Sequence, residues 1–327
     1  MIGILKSTLS IFLLGLCACK PSKEEEVSFQ NGNTTLHGSL YAPSGEGPHP
    51  AIVFVHGSGP STRETFRYYA EVMSADGLAV LIYDKRDVGT NRSTELVTSE
   101  QLAGDVLAAV QLLKTRKGID PKRIGVWGGS QGSGIAAKAA AQSRNIAFLI
   151  SVSGGGISYA ELNVYQKANR MRAQGFTEKE VSDAVAAMKN LHAFVRTRHN
   201  EEAAQVSLDS AWQHRWASTV FASRRLPTEH ELATWMQWQD IDGTSIPDWE
   251  RIMIPVLAFW GERDEVVPWQ LSAERIVAAL KRAGNEDVTI RIIKDADHGL
   301  MRHPNPENLP AKEYLETMSE WIKKHTR

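Results

Sequence analysis

Apolar positions fall into two regimes along the chain. Residues 51–55, 79–83, 123–127 and 148–152 are short, continuous apolar runs without polar alternation. Such runs predict strands buried on both faces of a sheet. The stretches 66–75, 99–115 and 132–142 between them carry helical patterning, which predicts right-handed crossovers and a mostly parallel sheet. Ahead of these, 27–30 and 35–41 flank the turn Asn31-Gly32-Asn33 and predict a hairpin. From Ile157 the strand signature stops. The text becomes helical to about residue 250, with capping boxes at Thr177-Glu178-Lys179-Glu180 and Thr228-Glu229-His230-Glu231. Strand patterning returns at 254–260 and 288–293, with helices expected over 272–282 and 311–324. The fold class is therefore α/β. Residues 27–156 and 251–327 build one core of a mostly parallel central sheet flanked by helices, and 157–250 form an inserted helical lid.

The first residues stand apart. An apolar run over 9–16 follows Lys6 and is too short to span a bilayer, which suits a signal peptide. It ends in Leu16-Cys17-Ala18-Cys19, which resembles a bacterial lipobox, with Cys19 as the lipidated residue. With Cys17 as acceptor, the bulky Leu16 would occupy the position that needs a small side chain. Residues 1–18 are thus expected to be a lipoprotein signal peptide, and 19–26, with the acidic run Glu24 to Glu26, a solvated tether. Cleavage before Cys19 removes the only other cysteine, so no internal disulfide is possible. The expectation is an exported bacterial lipoprotein, anchored through its N-terminal lipid and facing the periplasm or cell exterior.

Composition changes this picture little. The 327 residues are 42% hydrophobic, enough for a sizeable core, and the formal net charge of -1 gives no positive field to hold a phosphate backbone. Nucleic acid is not an expected partner, and the sequence has no internal repeat.

The candidate chemistry begins at Gly128-Gly129-Ser130-Gln131-Gly132, a G-x-S-x-G pattern between a buried strand and a helix rich in small residues. That context is a nucleophile elbow, where flanking glycines tolerate crowding that pushes a serine hydroxyl into the open. A serine hydroxyl needs a neighbouring base to accept its proton. Among ten histidines, His298 follows the last expected strand, at the edge where catalytic loops of α/β sheets gather. Asp264 lies just after the strand ending at Trp260 and suits the acid that orients the base, although Glu262 and Glu265 are close by. The order Ser130, Asp264, His298 places the acid before the base. Backbone amides of Gln131 and Ser58, the latter in His56-Gly57-Ser58-Gly59-Pro60, are candidate oxyanion donors, with Gly59 as the alternative to Ser58. His56 itself is expected to hold a loop by hydrogen bonding.

On these residues the chain from about residue 27 onward resembles the α/β-hydrolase superfamily. Within it, the chain looks like the branch of bacterial esterases and lipoproteins similar to dienelactone-hydrolase and prolyl-oligopeptidase catalytic domains. The matching features are His56-Gly57, Tyr83-Asp84-Lys85-Arg86 before Val88-Gly89, the elbow at Ser130, Gly261 through Asp264 to Val267-Pro268, and His298-Gly299. It departs at Asp87, where relatives usually carry glycine, and at Ser133, where a further glycine is common. The charged residues leaving the strand at Tyr83 are expected to tie down a loop.

The expected function is serine hydrolysis of a small-molecule carboxylic ester. A peptidase or amidase, and a binding lipoprotein without catalysis, are the alternatives. The pairs Trp212/Trp216 and Trp235/Trp238 read first as core of the inserted block, and Trp235 and Trp238 are also candidates to line an acyl or aromatic pocket. The sequence has no G-x-x-x-x-G-K phosphate loop and no Cys/His metal cluster, so no cofactor is implied.

Overall fold

The computed structural model describes residues 23–86, 97–234 and 240–327. Cys17, Cys19, Asp87, Trp235 and Trp238 lie outside these residues. Eight strands form one sheet: β1 (Lys23–Asn31), β2 (Thr34–Ala42), β3 (His49–Val55), β4 (Ala79–Tyr83), β5 (Ile119–Gly129), β6 (Phe148–Val152), β7 (Val256–Gly261) and β8 (Val288–Ile293). Their order is β1-β2-β4-β3-β5-β6-β7-β8. The β1–β2 and β2–β4 pairs are antiparallel, and every other pair is parallel. The continuous apolar runs are explained by burial on both faces: every residue of β4, β6 and β7 is buried.

Two cores lie on opposite faces of this sheet. On one, α2 (Ser99–Lys114), α3 (Gln131–Gln142) and α7 (Trp269–Ala283) cover Val53, Leu81, Val126, Leu149 and Trp260. On the other, α1 (Arg67–Ala75) and α8 (Lys312–His325) cover Phe54, Ile82, Trp127, Ile150 and Phe259. Because β3 to β8 run parallel, the segments leaving them all emerge at one edge of the sheet.

Between β6 and β7 the chain leaves the sheet. Helices α4 (Tyr159–Ala173), α5 (Glu178–Thr197) and α6 (Glu201–Ala211), with short helical turns at Ala217–Val220, Glu229–Thr234 and Ile246–Trp249, make up the described part of the insertion. It has a core of its own, in which Met171, Met188, Phe194 and Trp216 are buried. Trp216 stacks on His214, and Trp212 packs at the margin of that core. Both therefore serve the packing of the block. The capping boxes at Thr177 and at Thr228 are formed, and two more, at Thr98 and Ser158, start α2 and α4.

The acidic run requires a correction. Glu24, Glu25 and Glu26 belong to β1, not to a tether. Their backbone pairs with β2, and distant arginines neutralise their side chains: Arg67 on Glu24, Arg116 on Glu25 and Arg63 on Glu26. An edge strand tolerates charge on its exposed face, and these partners are far away in sequence.

Candidate active site

Ser130 joins β5 directly to α3, with φ 53° and ψ -120°. A non-glycine residue at positive φ is strained, by about 1–3 kcal/mol, and persists only where its surroundings enforce it. Here the enforcement is visible. The Ser130 N–H donates to the Val152 carbonyl at 2.8 Å, tying the turn to β6. A Cβ at position 128 would lie 2.1 Å from the Gly132 carbonyl oxygen, and one at 132 would lie 2.4 Å from that of Val55. Both glycines are needed because α3 descends onto the ends of β5 and β3. The turn at residues 56–60 passes alongside, since a Cβ on Gly57 would sit 3.4 Å from the Gly129 oxygen and 3.6 Å from Ser130 Cβ.

Asp264 is 3% exposed, whereas Glu262 and Glu265 face solvent. Its Oδ1 accepts the N–H groups of Val266 and Val267 at 2.9 and 2.8 Å, and its Oδ2 accepts His298 Nδ1 at 2.8 Å. A carboxylate only accepts, so the imidazole proton belongs on Nδ1 and the lone pair on Nε2. The segment behind His298 is braced by Asp297, whose Oδ1 accepts Gly299 N–H and Met301 N–H and whose Oδ2 meets His303 Nε2. Burial pushes the Asp297 carboxyl up, but these hydrogen bonds outweigh it and hold it below its usual range.

Ser130, Asp264 and His298 thus follow β5, β7 and β8 at one sheet edge. Between them lies the end of β6, where Ser153 (φ 50°) donates its hydroxyl to the His298 carbonyl at 2.8 Å. His56 performs the loop-holding role expected of it: Nε2 donates to the Tyr83 carbonyl at 2.5 Å, and burial keeps the ring's pKa low. Beyond β4, Asp84 pairs with Arg63 and Arg86 with the fully buried Asp105, which ties down the strand exit. Among the described residues no group of three or more His, Cys, Asp or Glu side chains is gathered as a metal site requires.

A model of the alpha/beta hydrolase family matches residues 52–309. The chain belongs to the alpha/beta hydrolase family. Its mostly parallel eight-stranded sheet, flanked by helices, is the α/β-hydrolase fold. Thiohydrolase aneE of Aspergillus aculeatus is 34% identical over 119 residues, which cover 36% of this chain and 37% of that protein. Esterase EstD of Thermotoga maritima is 34% identical over 135 residues, covering 38% of this chain and 32% of the other. The matched regions span about a third of the length of these curated relatives. Among solved structures, a 2,6-dihydroxy-pseudo-oxynicotine hydrolase superposes with a TM-score of 0.59 at 20% identity, over 94% of this chain and 68% of that one.

In this α/β hydrolase three features of the site lie beyond what the sequence analysis singled out. Ser153 is one; its position after a buried strand and before three glycines was the available signal. The reach of Lys85 is another: it ties down the loop through the carbonyls of Gly57 and Gly59, as expected of the charged residues after Tyr83, and beyond that expectation its Nζ donates to Gln131 Oε1 of the elbow. The third is the docking of the insertion. From α4, Tyr165 Oη donates to the Asp264 carbonyl, Asn169 to that of Glu265 and Gln166 to that of Val266. Glu161 binds Arg275 of α7, whose guanidinium holds the Glu161 carboxyl down at about 2. At the other end of the insertion, Ser245 donates to the Gly155 carbonyl and Asp248 meets Lys138 of α3.

Proposed function

We propose that this α/β hydrolase cleaves carboxylic esters through an acyl-enzyme on Ser130. The observation that carries the reading is the Asp264–His298 pair, in which a buried carboxylate held by two amides fixes the imidazole proton on Nδ1. Nε2 is then the base for the hydroxyl of Ser130, whose elbow lies at the same sheet edge. Ser130 Oγ attacks the ester carbonyl while its proton passes to Nε2. The amides of Ser58 and Gln131 are the donors for the resulting oxyanion, each worth roughly 3 kcal/mol. Collapse breaks the C–O bond, and the alcohol leaves with the proton from His298. Water then attacks the acyl-enzyme and gives a proton to the same base; the acyl C–Oγ bond breaks, the proton passes from Nε2 to Ser130 Oγ, and the carboxylic acid leaves.

The names of the relatives support acyl transfer to water, with oxygen or sulfur as the leaving atom. The inserted block, fastened to the acid loop and to α3, serves in this reading as a lid that limits water and confines the acyl group. Export and lipidation at Cys19 complete the proposal, and Cys19→Ala would then move the protein out of the membrane fraction. The enzymatic reading is tested with p-nitrophenyl esters of graded length beside aminoacyl anilides. Faster turnover of esters is expected. Preference for the anilides would replace it with a peptidase or amidase.

A further inference from the structure

The established position of Lys85 is at the exit of β4, but its ammonium group serves the elbow. Nζ donates to the Gly57 carbonyl at 2.6 Å, to the Gly59 carbonyl at 3.1 Å and to Gln131 Oε1 at 3.1 Å. Its backbone N–H is also engaged, by the Ser61 carbonyl at 3.1 Å. An ammonium has three protons to donate, which lets one side chain serve several acceptors at once.

The geometry has a consequence for the amides. A trans peptide carries its C=O and N–H on opposite sides. With the Gly57 carbonyl drawn to Lys85, the Ser58 N–H of the same peptide faces away from it. The Ser58–Gly59 peptide lies between two clamped carbonyls, so its N–H is fixed as well. Gly59 is at φ 80°, so this segment needs an external clamp to hold one conformation. At its third contact the same group grips the side chain of Gln131, whose N–H opens α3 and has no intrahelical acceptor. One side chain therefore links the two segments that carry the amide donors.

We propose that Lys85 is a positioning residue for the oxyanion hole, setting the orientation of the Ser58 (or Gly59) and Gln131 amides relative to Ser130. This rests on the serine-hydrolase reading of the same site. Lys85 touches neither substrate nor the reacting atoms in this account. Its loss misaims donors that matter most in the transition state, so the effect falls on kcat and not on KM.

The test compares wild type with Lys85→Met, which keeps the length and removes all three donors, and with Lys85→Arg, which keeps the charge and donors. Three quantities are read: kcat and KM on p-nitrophenyl acetate, inhibition by a trifluoromethyl ketone whose serine adduct places an oxyanion in the hole, and Tm. Removing one oxyanion donor outright costs about 10²–10³ in kcat, so misaiming is expected to cost about 10- to 100-fold. KM should stay within about twofold. The ketone should weaken in parallel with kcat, and Lys85→Arg should recover much of the loss. Wild-type kcat in Lys85→Met, or a kcat loss without weaker ketone binding, overturns the proposal. If Lys85→Met fails to fold, Lys85→Gln, which retains two donors on a shorter stem, is judged by the same criteria. A wild-type protein that neither turns over esters nor reacts with a fluorophosphonate refutes the serine-hydrolase reading itself, which is a distinct failure.

Discussion

Replacing Asp264 with asparagine changes one atom and tests how the base is held. Oδ1 accepts two backbone N–H groups, from Val266 and Val267. An asparagine must keep its carbonyl oxygen there, because turning the amide round would set NH₂ against two donors. The NH₂ group then stands where Oδ2 now accepts His298 Nδ1 at 2.8 Å. Donor meets donor, and the imidazole responds by moving its proton to Nε2, the atom that must accept from Ser130. The expected loss in kcat is about 10⁴-fold, equivalent to about 5 kcal/mol of barrier. Stability should change far less, since volume and both amide bonds survive. Asp264→Ala, by contrast, leaves both amides without their acceptor, and the buried one, of Val267, costs about 1–3 kcal/mol. Steady-state ester hydrolysis at neutral pH, read beside Tm, separates the two effects. Glu262 and Glu265 are exposed and do not substitute. A kcat for Asp264→Asn within about tenfold of wild type would refute this account of the base.

Gly132→Ala should destabilise the elbow, because the new Cβ meets backbone oxygens of Val55 and His56 at 2.4 and 2.6 Å. Overpacking of this kind costs about 1–3 kcal/mol; an unchanged Tm and kcat in this variant would contradict the crowding. In the insertion, burial, with the charge of Arg196, pushes His192 from 6.5 down to about 4 against the opposing pull of Asp242. The unfolded chain binds the proton first, so the stability this neutral ring confers is complete above pH 6.5 and is lost as pH falls towards 4. The loss amounts to about 3 kcal/mol. Acid unfolding followed by hydrogen exchange in α5 should be less steep over that window for His192→Gln, and an identical slope would rule His192 out.

How much was legible in the sequence follows from how local each requirement is. The elbow is readable because the turn itself is local: the crowding at Gly128 comes from Gly132 and Ser133, although that at Gly132 comes from Val55 and His56. Strands β4, β6 and β7 are readable because burial on both faces leaves no alternating polar positions in them, Ser151 of β6 being buried and bonded to Ser133. Glu24 to Glu26 misled because β1 owes its place to pairing with β2 and to Arg63, Arg67 and Arg116, which no local pattern announces. The loop-tying role of Lys85 was legible from its place after β4, but its reach to Gln131, like the bond from Ser153 to the His298 carbonyl, was not, because these partners are brought close only by the parallel sheet. The grip of α4 on the acid loop is likewise a product of folding about a hundred residues apart in the chain.

The central claim is that Ser130 is the nucleophile, and covalent capture tests it most directly. Wild-type protein treated with a fluorophosphonate and digested for mass spectrometry should carry the label on the peptide containing Ser130. Ser130→Ala should fold with wild-type Tm and take up no label. Labelling of Ser130→Ala at the wild-type rate, or a wild-type adduct mapped to another residue, would contradict the account.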